Sequence, residues 1–408
     1  MRRYWSPRPA ADAPRSAEEA AEHLTALLRE SVKLQLRSDV PLGVLLSGGI
    51  DSGLIATLAA SELDQPLKAF TVRFEGAAYD ETPLAAEVAA RYGIEHTVLD
   101  VPARGIGDVL PRLAWYCDEP LADASLLPNH LIEAALGRKV TVVLNGTGGD
   151  ELFAGYGRYF PTTVERLYRL VPAALRRSLI EPLAEAFDPT TAWKLARADK
   201  FATDRGGYLH DHTTLFPRPL RRALGLAADE PEIAQARAFA EFAGPPDSGA
   251  LYADMATYLP EDLLLLLDRT SMASSVEGRV PFLDHRLAEA ALAVPPAIRA
   301  TGGRQKALER RMAAALLPPS VLAAPKQGFA APVTAWMDAD MTATVRRLLI
   351  APRALARGWW TKGAIERLSA EPSRHAHRLY ALAMLETVVR VHVETTAREL
   401  PVCSLSDL

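Results

Sequence analysis

The chain has 408 residues, enough for two domains with sizeable cores, and 49% hydrophobic with 24% charged residues is the balance of an ordinary globular protein. A formal net charge of −4 argues against a nucleic-acid surface as the main partner. The two cysteines, Cys117 and Cys403, lie far apart and outside any C-x-x-C pattern, which argues against a disulfide framework or a cysteine-rich metal site. The start MRRYWSPRPA has no apolar stretch of signal-peptide length. The densest apolar run, residues 263–267, is flanked by Glu261, Asp262 and Asp268 and is too short to span a bilayer. A cytoplasmic protein without membrane or nucleic-acid partners is expected.

In chain order, residues 1–15 read as a linker-like segment, and residues 16–36 as a helix. Leu24, Leu27, Leu28 and Val32 recur at helical spacing, and Ser16 with Glu19 three residues on forms a capping box. Residues 40–46 read as a buried strand, followed by a helix from Gly53 to about Leu63. Further strands are expected at 67–74, 96–101 and 139–144, with helices at 82–92 and 132–136. Strands alternating with helices predict an α/β fold with a doubly wound parallel sheet, its ligand at the C-terminal strand ends. After about Tyr159 the strand signal stops. Residues 164–183, 235–242, 251–267 and 377–394 have helical spacing, with proline-rich joints at 217–219, 245–246 and 295–296. This divides the chain into an α/β domain at 16–165 and a helical region at 166–408 that completes the site. Residues 188–248 carry little that can be interpreted.

The chemistry begins at Ser47-Gly48-Gly49-Ile50-Asp51-Ser52, a small-residue turn between the first strand and its helix. Such a turn presents backbone N–H groups and the positive end of a helix dipole to anionic oxygens, and the hydroxyls of Ser47 and Ser52 add donors. Asp51 is out of place in an anion nest unless a divalent cation bridges it to phosphates. The common G-x-x-x-x-G-K-[ST] loop is absent. Asn145-Gly146-Thr147-Gly148-Gly149-Asp150-Glu151 follows another predicted strand, so it falls on the same rim and brings Asp150 to face Asp51. Two carboxylates sharing phosphate-bound Mg²⁺ would hold pyrophosphate as a leaving group. Asp150 also fits a helix cap, a role compatible with metal binding.

The first loop resembles the pyrophosphate loop of ATP pyrophosphatases, which cleave ATP to AMP and pyrophosphate. GMP synthetases, argininosuccinate synthetases, tRNA-thiolating enzymes and asparagine synthetases share it. Four further segments choose among these. They are the 144–156 loop, Asp268-Arg269-Thr270-Ser271-Met272-Ala273 running on to Glu277-Gly278-Arg279-Val280-Pro281-Phe282-Leu283-Asp284, Pro325-Lys326-Gln327-Gly328-Phe329 with Pro332 to Trp336, and Asp118-Glu119-Pro120 with Ala122-Asp123. Together, over roughly residues 4–393, they resemble the synthetase domain of glutamine-dependent asparagine synthetases and their relatives, the β-lactam and carbapenam synthetases and lasso-peptide cyclases.

The resemblance implies an ATP-pyrophosphatase fold with helical elaboration and an amide-forming ligase. ATP would adenylate a small-molecule or peptide carboxylate, and a nitrogen donor would then displace AMP. Carried over by motif, Ser47, Gly48, Gly49, Asp51 and Ser52 bind pyrophosphate, and Leu45, Val72 and Gly146 line the adenine and ribose site. Asp51 and Asp150 hold Mg²⁺, and Lys326 neutralises charge on the α-phosphate in the transition state. Asn145, Thr147, Asp123 and Glu277 are substrate-side candidates. Glu277, Arg279 and Asp284 also read as a structural ion-pair network, the histidines, His96 among them, as packing or surface residues, and Lys306 as part of a helix start with only a weak claim on the site.

Two departures stand out. Family members usually begin with a glutaminase domain whose nucleophile is a cysteine at residue 2, whereas Arg2 stands here and Tyr4-Trp5-Ser6-Pro7 looks like the interdomain linker. No in-cis glutamine hydrolysis is therefore expected, with nitrogen coming from ammonia, a separate glutaminase or another amine. Thr147 stands where asparagine synthetases commonly carry an acidic residue, and Asn145 where serine is usual. Losing one charged hydrogen bond is worth about 1.5–3 kcal/mol, enough to shift substrate preference tenfold or more. The expected function is a ligase with an altered acceptor or donor, in specialised metabolism. Ammonia-dependent asparagine synthesis and a non-catalytic scaffold of the same fold are the alternatives.

Overall fold

A computed structural model describes residues 4–74, 80–101, 106–160, 167–187, 191, 195, 215–216, 218–225, 234–242, 244, 248–325, 333–395 and 399–408. The chain forms two contact units that interleave along the sequence. The first comprises 1–104, 125–156 and 242–330, and the second 105–124, 157–241 and 331–408.

The first unit is built on a parallel five-stranded sheet of order β3-β2-β1-β4-β5, with β1 at Leu42–Leu45, β2 at Lys68–Phe74, β3 at Glu95–Val101, β4 at Val142–Leu144 and β5 at Glu277–Arg279. Helices α1 (Ala17–Gln35), α2 (Ile50–Glu62), α3 (Thr82–Tyr92), α4 (Ile106–Cys117), α5 (Leu126–Leu136) and α6 (Gly149–Leu152) follow in chain order, α4 belonging to the second unit. The chain winds outward from β1 through β2 to β3, then returns to β4 on the other side of β1. That reversal makes the β1/β4 boundary the switch point, where loops leaving the two strand ends diverge and open a crevice.

The elements follow from their residues. Ser16 caps α1 by accepting from the Glu19 N–H, but the Glu19 carboxylate reaches back to the amide of Arg15 rather than Ser16. Helix α2 is buried at Ile50 and from Ser52 to Ala59, so its sequence has no polar stripe. Ile132 and Leu136 of α5 pack over Phe70, Val143 and Val276, and Leu45 and Val72 lie against the same cluster.

One expectation from the sequence needs correction. Strand signal does not end near Tyr159: β5 pairs with β4 from Val142 opposite Glu277 to Leu144 opposite Arg279. Three residues, one of them glycine, are too few to display a period-2 pattern. By contacts, 242–330 group with the sheet and 105–124 apart from it. Chain order cannot reveal such interleaving, since it is set by which surfaces bury each other. The second unit is helical where described, with α4 packed on the helix Pro372–Val388, which also packs on Ala339–Ile350 and Lys362–Ala370. No described helix is long and apolar enough to cross a membrane.

Candidate active site

The loop 46–49 leaves the end of β1 and turns into α2. Its donors are not the open nest that the sequence suggested. The Ser47 amide donates to Ser52 Oγ at 3.0 Å, and the Gly49 amide to Ser47 Oγ at 3.1 Å. The two hydroxyls meet at 2.8 Å. The Gly48 amide donates to the carboxylate of Glu81, and burial pushes that carboxyl above its ordinary range despite the bond. Ser47 and Ser52 thus brace the loop, and an acidic oxygen already sits on the glycine amide. The first intrahelical bond is Gly53 to Gly49 at 3.1 Å, so the amides of Ile50 and Ser52 lie ahead of the helical ladder.

The loop after β4 packs tightly on this one. A Cβ on Gly149 would lie 2.4 Å from Asp51 Oδ1, one on Gly146 3.1 Å from Asp51 Cβ, and one on Gly155 2.7 Å from Lys306 Cε. Glycines are required because carboxylates and an amine fill the space. Asp51 stands in the first turn of α2 and Asp150 in the first turn of α6.

Between them lies Lys306, to which the sequence gives only a weak claim. It begins the helix Ala307–Ala313, which packs on α1 and α2, and its backbone is left-handed at φ 54°. Its side chain is 6% exposed, and Nζ contacts Asp51 Oδ1, Asp150 Oδ1 at 2.8 Å and Glu309 Oε2 at 3.3 Å. Burial alone would lower the Lys306 pKa, but Asp51, Glu309 and Asp150 outweigh it and hold the ammonium well above its ordinary range. Glu309 is fully buried, and burial with the Asp51 charge pushes its carboxyl well up against the pull of Lys306. One signal in the sequence points this way: a lysine at a helix N-terminus opposes the macrodipole, so it needs local anions.

The other candidate residues separate. Asn145 and Thr147 sit in the β4 loop and bond each other, the Thr147 amide and hydroxyl donating to Asn145 Oδ1 at 2.9 and 2.8 Å. Glu277 begins β5, opposite Val142 rather than at the rim, and pairs with Arg279 at 2.6 Å. Two residues of strand place it about 7 Å below the loops. Arg279 also donates to the carbonyls of Gln35 and Arg37, whereas Asp284 caps the next helix and pairs with Arg286, so the expected three-residue network is two separate clusters. Asp123 belongs to the second unit, where its carbonyl accepts from Tyr380 Oη at 3.3 Å. Lys326 lies outside the described residues, with Gln327, Gly328, Phe329 and Pro332. Beside Asp150, buried Glu151 accepts from Tyr156 Oη at 2.5 Å, and burial pushes its carboxyl up to about 7.

The donor set fits Mg²⁺ carried by a nucleotide phosphate. Among the described residues no group of three or more His, Cys, Asp or Glu is arranged for a metal ion. Asp51 and Asp150 nevertheless converge on one cation, and Mg²⁺ typically takes one or two carboxylates and completes its shell with phosphate and water. The Gly48 amide, now held by the Glu81 carboxylate, is a donor of the kind an anionic oxygen accepts from.

The asparagine synthase family profile matches residues 23–390. The chain is 31% identical over 325 residues to asparagine synthetase [glutamine-hydrolyzing] 1 of Bacillus subtilis, covering 78% of this chain and 51% of that protein. It is 34% identical over 345 residues to a putative asparagine synthetase [glutamine-hydrolyzing] of Mycobacterium bovis, covering 83% and 52%. It is 26% identical over 320 residues to the amidase chry2 of Gibberella zeae, covering 70% and 47%. The chain spans about half the length of the curated relatives it matches. A profile matched over most of the chain, on a parallel sheet whose switch-point loops carry the expected glycines and carboxylates, places this chain in the asparagine synthase family.

Proposed function

We propose that this chain is an ATP-dependent amide-forming ligase that releases AMP and pyrophosphate. The observation that carries the reading is the meeting of Asp51, Asp150 and Lys306 at the β1/β4 crevice. A carboxylate is a poor electrophile because its oxygen leaves badly. Its attack on the α-phosphorus of ATP breaks the bond to pyrophosphate and yields an acyl-adenylate. A nitrogen nucleophile then attacks the acyl carbon and AMP departs.

The residues divide the work. The α2 N-terminus, the braced Ser47–Ser52 loop and the Lys306 ammonium receive the phosphates. Asp51 and Asp150 would hold Mg²⁺, which when bound supplies charge neutralisation on the leaving pyrophosphate. Leu45, Val72 and Gly146 line the base and ribose side, and Lys326 supports charge developing at the α-phosphate.

Substrate choice turns on the β4 loop. The Thr147 hydroxyl is spent on Asn145, so the loop offers a neutral turn where an acidic side chain is usual in asparagine synthetases. This supports an acid or amine other than aspartate with ammonia, in specialised metabolism. The names of the relatives favour asparagine itself as the second reading. Cys117 is buried in α4 and Cys403 stands in the C-terminal segment, neither in a glutaminase-like setting, so nitrogen reaches the site from outside these residues, as ammonia, through a glutaminase, or as another amine.

A substrate-dependent pyrophosphate-release screen over acids and amines tests this. Turnover with a non-aspartate acid and AMP as co-product is expected. Efficient asparagine formation from aspartate and ammonia would install the second reading. ATP–pyrophosphate exchange absent with every acid would leave a scaffold.

A further inference from the structure

The strand β1 parts from β2 at Leu46, the residue before the phosphate loop. The Leu46 amide still donates to the Phe70 carbonyl at 2.9 Å. In a continued parallel ladder the Val72 amide would then donate to the Leu46 carbonyl. Here the Thr71 hydroxyl donates to it, at 2.6 Å. Thr71 Oγ1 also meets His96 Nε2 at 2.7 Å. Thr71 and Leu46 are buried, and His96, on β3, is half-buried.

A hydroxyl has one proton to give. With that proton on the Leu46 carbonyl, the contact with His96 requires Nε2–H to donate to Thr71. Burial lowers the His96 pKa, which favours the neutral ring. The chain His96 Nε2–H to Thr71 Oγ1–H to Leu46 C=O therefore has one direction. It also joins two halves of the proposed nucleotide site. Leu46 is bonded to Ser47, the first loop residue, and Thr71 to Val72, on the base side.

We propose that His96 and Thr71 form a positioning relay that sets the spacing between the base side of the site on β2 and the phosphate loop on β1. The inference rests on the nucleotide reading given above. Its consequence is specific, because spacing matters only to a ligand that spans both halves. Thr71→Val keeps the shape and removes the hydroxyl, taking away this tie between the loop and β2 while the Leu46 amide keeps its bond to Phe70. Mg²⁺ with α,β-methylene-ATP should then bind about three- to tenfold more weakly, the worth of one internal hydrogen bond. AMP alone and inorganic pyrophosphate alone, each using one half, should bind as they do to wild type. His96→Ala should show the same pattern more weakly, because Thr71 keeps its bond to Leu46, and Thr71→Ser should keep wild-type affinity.

Calorimetric titration of the three ligands against the four proteins decides it, with thermal melting to show that each variant is folded. Equal losses for the analogue, AMP and pyrophosphate would reduce Thr71 to general packing and overturn the relay, as would Thr71→Val with unchanged affinity for the analogue. Should Thr71→Val fail to fold, His96→Ala and Thr71→Ser decide between the same outcomes. Wild type that binds none of the three ligands overturns the nucleotide reading, and the relay with it.

Discussion

Replacing Lys306 by methionine leaves an unbranched side chain one atom shorter and removes its charge. At an effective dielectric of about 20, a contact of the length of the Asp150 pair is worth about 6 kcal/mol of Coulomb energy. Desolvation of the ammonium offsets much of this, and breaking a buried pair typically costs about 3–5 kcal/mol. Asp51 and Asp150 keep 27% and 22% exposure and can rehydrate, which points to the lower end, about 3 kcal/mol. In chelator and low salt, urea unfolding of Lys306→Met should show that loss. Mg²⁺ should then stabilise the variant more than wild type, because the two carboxylates no longer have the lysine ammonium between them. Adding Asp51→Asn should recover part of the loss, since the pair couples. A variant within about 0.5 kcal/mol of wild type, with no extra response to Mg²⁺, would refute the ion-pair account of the site.

Asp51→Asn and Asp150→Asn should each abolish Mg²⁺-dependent ATP–pyrophosphate exchange in a folded protein; full exchange in either would remove it from the metal assignment. Lys326→Ala should lower the adenylation rate by about 10²–10³ with little change in ATP affinity, and single-turnover kinetics separate the two. Glu133 is buried in α5, both carboxyl oxygens lack hydrogen-bond partners among the described residues, and burial pushes its carboxyl from 4.5 up to about 7. The folded state then binds more protons than the unfolded between those values, so this group's contribution is intact below pH 4.5 and is lost as pH rises to about 7. Glu133→Gln should remove that dependence and gain up to about 3 kcal/mol over wild type at pH 8, with little difference at pH 4.5; parallel stability curves would sink the assignment.

Much of this protein was legible in the residues themselves. Apolar runs ending in small residues located β1 and β4, because a strand that stops at a ligand must be followed by a backbone able to turn sharply. The alternation of strands and helices implied a parallel sheet, and chain order then put the two glycine loops on one rim. Asp51 and Asp150 could be paired on that argument alone.

Other features were decided only by the tertiary structure. Lys306 is 255 residues from Asp51 in sequence, and its place at a helix start hints at nearby anions without saying which they are. It becomes a site residue because its helix packs against α1 and α2. Glu81, at the start of α3, reaches the Gly48 amide, and His96 reaches Thr71 through the pairing of β3 with β2. Glu277 carried the chemistry of a substrate residue in its sequence, yet the register of β5 against β4 sets it below the rim. Periodicity and turn chemistry act over a few residues and are written locally, whereas register and the convergence of charges depend on which distant surfaces bury each other. The sequence alone therefore determined four strands of the sheet and the loops on its rim, whereas tertiary packing added β5 and decided which charged groups meet there.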